Sequence, residues 1–350
     1  MIDNVFAETT NAPNVYALQL PCEDSLRSGA AMLSVVIPLL NEEDSLDALY
    51  GRLKAELTKV APNHEIFFVD DGSRDGSLAK LVQFFKQDPS VHVLSFGNNF
   101  GKAAALAAGF KRLNGQYVMM MDADLQDQPE EMLKLIRKLD EGYDLVTGWK
   151  QVRHDPIHKT LPSKLFNRKV GRTFNLNIHD FNCGFKLMRA EVARNMRLYG
   201  DFHRFLPVLA QTAGYRVAEV PIEHAPRIHG YSKYGAKRLI TGLLDYWALV
   251  AVTKFYYRPM QFFGNFAIRC AGIATLFAIY ALATSHGNYH LRLVWVLAAI
   301  FAIGSAQLVA IGLVAEMLIN GTRRVAPDVD VSGTPRELNE SLRSGGFSAL

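Results

Sequence analysis

Two aspartates, Asp122 and Asp124, stand in the run Met119-Met120-Met121-Asp122-Ala123-Asp124-Leu125-Gln126, directly after an apolar stretch. Carboxylate oxygens suit a hard divalent cation, Mg²⁺ or Mn²⁺, bridging a diphosphate, because such ions keep several waters and need only one or two protein carboxylates. Acidic pairs are also common in solvated turns, so position decides what this pair means. Two further acidic loops are Pro38-Leu39-Leu40-Asn41-Glu42-Glu43 and Asp70-Asp71-Gly72-Ser73-Arg74-Asp75-Gly76. Helix capping explains much of them: Asn41, Ser73 and Asp75 are good N-cap residues, and Glu43 and Asp44 suit a helix dipole. Asp70 and Asp71 differ, since adjacent carboxylates repel each other and a nucleobase N–H would be a natural partner for one.

Basic residues gather in two blocks. Lys150, Arg153, Lys159, Lys164, Arg168, Lys169 and Arg172 face only Asp155, and Arg227, Lys233, Lys237, Arg238, Lys254 and Arg258 face only Asp245. Such runs form a solvated or anionic-lipid-facing surface, or hold a lipid phosphate. The loop Gly97-Asn98-Asn99-Phe100-Gly101-Lys102-Ala103 invites a phosphate-loop reading and fails it: it is one residue short, and Ala103 stands where the metal-binding hydroxyl belongs. Cys22, Cys183 and Cys270 match neither a disulfide framework nor a zinc spacing. His154, His158, His179, His224 and His229 lack zinc spacing as well.

The elements that must hold these groups follow from periodicity. Apolar runs at Leu33–Pro38, Glu65–Asp70, Val91–Ser95, Gln116–Asp122 and Leu145–Thr147 read as strands, and Glu43–Val60, Gly76–Gln87, Gly101–Leu113 and Glu130–Asp140 as helices. Such alternation implies a parallel, doubly wound α/β sheet with its ligand site beyond the carboxyl ends of the strands, where all three acidic loops fall. The 350-residue chain, 49% apolar and 21% charged with a net charge of +4, excludes a disordered or collagenous protein.

Residues 1–31 read as a flexible tail and 32–235 as the α/β domain. Leu293–Ala315 carries no formal charge over 23 residues, about 34 Å as a helix and enough to cross a membrane. Phe262–Ala283 is a second candidate despite Arg269, which can snorkel. Together 259–320 form a hairpin, with spans at about 262–284 and 293–317. Basic residues flank it on the side of both termini, against Arg292 alone in the turn, which puts both termini and the α/β domain in the cytoplasm. Residues 236–258 read as an amphipathic interfacial helix and 321–350 as a second flexible tail.

The ordered set VIPxxNEE, VDDGSxDGS, NxGKxAAxxAGF, MDADLQDxPE and RxxGxSKY, followed by two membrane helices, resembles the family 2 glycosyltransferases that load a sugar onto a polyprenyl phosphate. The likeness runs from about Leu33 to Asn320 and implies a Rossmann-like GT-A fold and an inverting transfer from a nucleotide sugar, with UDP expected. It places Pro38, Leu40, Glu42 and Asp71 at the nucleotide, beside Asp70, and Asp122 and Asp124 at the metal and diphosphate, with Gln126 next to them. Lys150, Arg153, Lys159, Ser232 and Lys233 would hold the acceptor phosphate, and Arg227 would join Asp124 and Gln126 in catalysis. Leu40 departs from the Tyr usual there. The expected partners are a nucleotide sugar, a polyprenyl phosphate and a lipid bilayer, that of a bacterial inner membrane. Nucleic acid is disfavoured because the basic blocks flank membrane segments, and a homo-oligomer is left open. A processive polysaccharide synthase would carry QxxRW and more spans, and a silent scaffold would not need the acidic set.

Overall fold

In the computed structural model the described residues are 22–151, 157–223, 237–255, 258–284 and 290–322, of which 157–164, 237–241, 290–291 and 320–322 are described by backbone alone. The described chain divides into two units, one ending at Thr253 and one starting at Lys254.

The first unit runs α1 (Cys22–Arg27), β1 (Leu33–Leu39), α2 (Glu43–Val60), β2 (His64–Asp70), α3 (Ser77–Gln87), β3 (Val91–Ser95), α4 (Lys102–Phe110), β4 (Tyr117–Met120), α5 (Met132–Asp140), β5 (Leu145–Lys150), α6 (Ile157–Phe174), β6 (Lys186–Arg189), α7 (Ala190–Asn195), α8 (Leu206–Thr212), β7 (Val217–Ile222) and α9 (Lys237–Lys254). Its seven strands are ordered β3-β2-β1-β4-β6-β5-β7. All run parallel except β6, which is antiparallel to both β4 and β5. The order reverses between β1 and β4, so loops leaving these strands part to opposite sides and open a crevice.

Every residue of β1 is buried, as expected for a central strand covered on both faces. Strand alternation sends Val35, Ile37, Ile66 and Phe68 to one face, against Leu46, Leu49, Leu53 and Leu57 of α2, and Val36, Phe67 and Val69 to the other, against Leu106 and Phe110 of α4. The three- and four-residue spacing on α2 made that helix readable, and its bounds fall where the periodicity put them.

Two expectations need correction. Part of the presumed tail is ordered: α1 buries Cys22 and Leu26 in the core, and the carboxylate of Asp140 accepts the amides of Cys22 and Glu23, so the domain starts by residue 22 rather than 32. The sheet also has β6 and β7, which periodicity did not find.

In α9, Tyr246, Leu249 and Val250 are buried while Leu243, Leu244 and Trp247 stay exposed. Tyr246 bonds Thr173 of α6 through its hydroxyl at 2.9 Å and carries the Lys169 ammonium over its ring at 4.6 Å.

The second unit contains α10 (Pro259–Ala283) and α11 (His290–Thr322). Both are long and apolar enough to cross a membrane, with mean hydropathy 1.8 over Pro259–Ala283 and 2.2 over Arg292–Ile319. Most of their apolar surface faces outward, unlike a core helix of a soluble protein. They pack closely: Ser305 donates to the Ala267 carbonyl at 2.9 Å, and a Cβ at Gly312 would come within 2.9 Å of Met260 Sδ.

Candidate active site

β4 ends at Met120, and the Asp122–Asp127 turn hangs over the carboxyl edge beside the crevice. Leu125 holds the turn in the left-handed region, φ 63°, with its side chain buried. That conformation costs a bulky L-residue about 1–2 kcal/mol. Within the turn Asp124 Oδ1 accepts the Gln126 amide at 3.2 Å, and Asp127 Oδ2 accepts the Asp122 amide at 3.2 Å. Opposite, Gly184 packs so near that a Cβ would fall 2.6 Å from the Asp122 carboxyl carbon. A glycine there leaves room for the carboxylate and whatever it holds.

Three lysines converge on this turn. Lys102, the first residue of α4, forms an ion pair with Asp122, both side chains about 30% exposed. Lys150, at the end of β5, lies 3.1 Å from Asp127 Oδ1. Lys186 pairs with Met120 in the sheet, is buried, and donates to the Cys183 carbonyl. Partial burial opposes ionisation of Asp122, yet Lys102 beside it and Lys150 farther off hold its carboxyl down at about 2. For Lys150, burial is outweighed by the Asp127 charge, and its ammonium is held above the ordinary range. Burial pushes the Lys186 ammonium down to about 8, with Lys102 acting in the same direction. His203, buried with Nδ1 lacking a partner, is kept neutral because desolvation and the nearby Lys102 charge depress it to about 2. Asp180, also buried, accepts the Asn182 amide at 3.1 Å.

A cleft of about 400 Å³ opens beyond β1, β2 and β3, lined by Leu40, Asn41, Asp70, Arg74, Phe96 and Asn98 among others. Asp70 is braced by the Ser73 amide at 3.0 Å and the Ser95 hydroxyl at 2.9 Å. Asp71 turns the other way: its two oxygens accept the amides of Phe100 and Gly101 at 2.8 and 2.9 Å and so anchor the entry to α4. Local donors therefore relieve the repulsion expected of this pair. The capping reading of Glu43 and Asp75 has a structural basis, but across loops: Glu43 Oε2 accepts the Gly76 amide at 2.8 Å, and Asp75 Oδ2 accepts the Glu43 amide at 3.2 Å. Pro38 is buried in β1 opposite Val69, and Glu42 is the N-cap of α2.

The fold thus gathers Pro38, Leu40, Glu42, Asp70, Asp71, Asp122, Asp124, Gln126 and Lys150 along one edge of the sheet. Lys159 lies in the first turns of α6, described by backbone alone, while Arg153, Arg227, Ser232 and Lys233 lie outside the described residues. Sequence reasoning missed Lys102, Lys186 and His203 as neighbours of the acidic turn. Lys102 was visible as the lysine of a failed phosphate loop, and only the crossover of α4 from β3 to β4 shows where its ammonium goes.

Among the described residues no three His, Cys, Asp or Glu side chains form a metal-binding group. The donor set is two carboxylates in a turn kept open by Gly184, which fits a divalent ion that also takes oxygens from a diphosphate and does not fit an all-protein cage.

Residues 34–197 match the family model for glycosyl transferase family 2. Dodecaprenyl-phosphate galacturonate synthase of Rhizobium johnstonii is 30% identical over 297 residues, covering 82% of this chain and 87% of that protein. Undecaprenyl-phosphate 4-deoxy-4-formamido-L-arabinose transferase of Pseudomonas aeruginosa is 33% identical over 332 residues, 91% of this chain and 96% of that one. Among solved structures, glucosyl-3-phosphoglycerate synthase from Mycobacterium tuberculosis with phosphoglyceric acid superposes with a TM-score of 0.51 at 19% identity, over 63% of this chain and 82% of that one. The same enzyme with Mn²⁺ and UDP-glucose gives 0.50 at 18% identity, over the same shares. These likenesses show a GT-A fold.

Proposed function

Because the chain belongs to glycosyl transferase family 2, in its polyprenyl-phosphate class, we propose that it transfers a sugar from a nucleoside diphosphate, UDP by preference, to a polyprenyl phosphate, with inversion at the anomeric carbon. The observation that carries this reading is the acidic turn at the switch point of the sheet, ringed by Lys102, Lys150 and Lys186. Donor chemistry of this kind needs a place where a departing diphosphate is neutralised.

Asp122 and Asp124 would hold Mg²⁺ or Mn²⁺, which when bound supplies positive charge against the diphosphate. The chain's own part is positioning and electrostatics. Loops after β1 and β2 take the nucleoside, with Leu40 and Asp70 facing the cleft. Lys150, fixed by Asp127, presents a permanent cation next to the turn. A phosphate acceptor is already an anion near neutral pH, its second pKa being about 6, so it attacks without a side-chain base. Arg153, Lys159, Arg227, Ser232 and Lys233 would hold that phosphate. Rate then comes from in-line placement and from preorganised charge.

The membrane part of the proposal has α10 and α11 spanning a bacterial inner membrane with the catalytic unit in the cytoplasm. The exposed Leu243, Leu244 and Trp247 of α9 support an interfacial role for that helix. To test the whole reading, the purified full chain is incubated with undecaprenyl phosphate and a panel of nucleotide sugars, and the lipids are analysed by mass spectrometry. A sugar-phosphoprenol product is expected. Absence of any product, together with no nucleotide-sugar binding, would leave the fold as a membrane scaffold.

A further inference from the structure

Lys102 is the lysine around the turn whose partner is itself a proposed metal ligand. Lys150 has Asp127, and Lys186 has the Cys183 carbonyl. We propose that Lys102 is a placeholder cation that neutralises Asp122 until a divalent ion and a diphosphate arrive together, so that the enzyme holds its metal only with the nucleotide. The inference rests on the reading of Asp122 and Asp124 as the metal turn.

Three observations support it. The Lys102 and Asp122 side chains are 29% and 31% exposed, so the pair can exchange partners without opening the core. The backbone at Lys102 does not have to move, because the loop entering α4 is clamped: Asp71 accepts the amides of Phe100 and Gly101, and Gly101 adopts φ +91°, which a side chain would resist. Exchange therefore consists of swinging a four-carbon stem from Asp122 toward the nucleotide side, where the amino end of α4 also favours anions. Charge balance makes the exchange conditional. Asp122, Asp127 and Asp180 act on Lys102, Lys150 and Lys186, and Asp124 stands in the same turn. A divalent ion alone would turn this near balance positive and leave Lys102 without a counter-charge beside the ion. A diphosphate restores the balance and gives Lys102 a new partner.

The test measures Mn²⁺ binding to the full chain in detergent by electron paramagnetic resonance, with and without UDP, GDP or CDP. Wild type should bind Mn²⁺ weakly alone and much more tightly with the right diphosphate. Lys102→Met should bind Mn²⁺ alone at least about fivefold more tightly, the equivalent of a partly exposed ion pair of about 1 kcal/mol, and should gain less from the nucleotide. Lys102→Arg keeps the charge and should behave as wild type. Circular dichroism checks the fold, and Lys102→Gln replaces the Met variant if that one unfolds. Unchanged or weaker binding of Mn²⁺ alone by the neutral variants overturns the placeholder while leaving the metal turn standing. If wild type binds no Mn²⁺ with any of the three diphosphates, the metal reading falls and the placeholder with it.

Discussion

At the acidic turn, the atoms that matter most are those that leave space. A methyl group at Gly184 would meet the Asp122 carboxyl at 2.6 Å, and the carboxylate, being partly exposed, can yield by swinging outward. Gly184→Ala is therefore expected to lower kcat/KM by about 10- to 100-fold, the usual cost of a displacement of about 1 Å at a reacting centre, while the thermal midpoint barely moves. Parallel kinetics and thermal melts check both halves. Asp127→Asn should act differently. It removes the fully buried charge that compensates the largely buried Lys150 and should cost about 3–5 kcal/mol of stability as well as activity, read by denaturant melts. The place of Asp122, Asp124 and Gln126 was legible in the sequence, because an acidic run directly after an apolar strand of an alternating chain falls at the carboxyl edge of the sheet. The role of Asp71 at the entry to α4 was not, since a carboxylate accepting two backbone amides looks in sequence like one awaiting a ligand.

Among the elements, α2 could be read to the residue from its apolar spacing, and β1, β2 and β3 nearly so. β6 could not. It is four residues long, runs Lys-Leu-Met-Arg, and buries a lysine, so it offers neither length nor alternation. The turn between α3 and β3 shows how a surface loop ties elements together. Asp88 accepts from the Tyr50 hydroxyl at 2.8 Å and from the amide and hydroxyl of Ser90 at 2.9 and 2.7 Å, and Lys54 lies 2.8 Å away, which pins α2 to β3. Partial burial would raise the Asp88 carboxyl, but Lys54 and Ser90 outweigh it and hold the group well below its ordinary value of 3.8. A depressed carboxyl contributes stability that is present above the unfolded value and lost as pH falls through the folded one. Wild type should thus exceed Asp88→Asn by about 1–2 kcal/mol at pH 7, and the gap should begin to narrow below about pH 4 and keep narrowing toward the depressed folded value. Thermal melts from pH 7 to pH 3 measure it; a constant gap would show that the charge is immaterial.

For the whole molecule, the catalytic unit has both core clusters within residues 22–222 and should fold without the hairpin. A chain ending at Arg258 is expected to bind the nucleoside diphosphate as the full protein does, yet to transfer poorly to long-chain prenyl phosphates. Calorimetry and assays on short and long acceptors separate the two, and equal use of both would reduce α10 and α11 to an anchor. The hairpin was legible because a charge-free run of this length has few uses in water. Its contacts were not, since the bond from Ser305 to the Ala267 carbonyl and the close approach at Gly312 involve residues that sequence alone gives no reason to pair.

The reversal of strand order between β1 and β4 has a consequence for how such a protein diversifies. On the reading proposed above, the loops that choose the donor all precede Lys102, while the groups that receive the acceptor begin at Lys150, on the far side of the crevice. Two independent specificities are therefore written in two consecutive stretches of the gene. A single recombination between them could join one lineage's nucleotide preference to another lineage's lipid without disturbing the acidic turn they share.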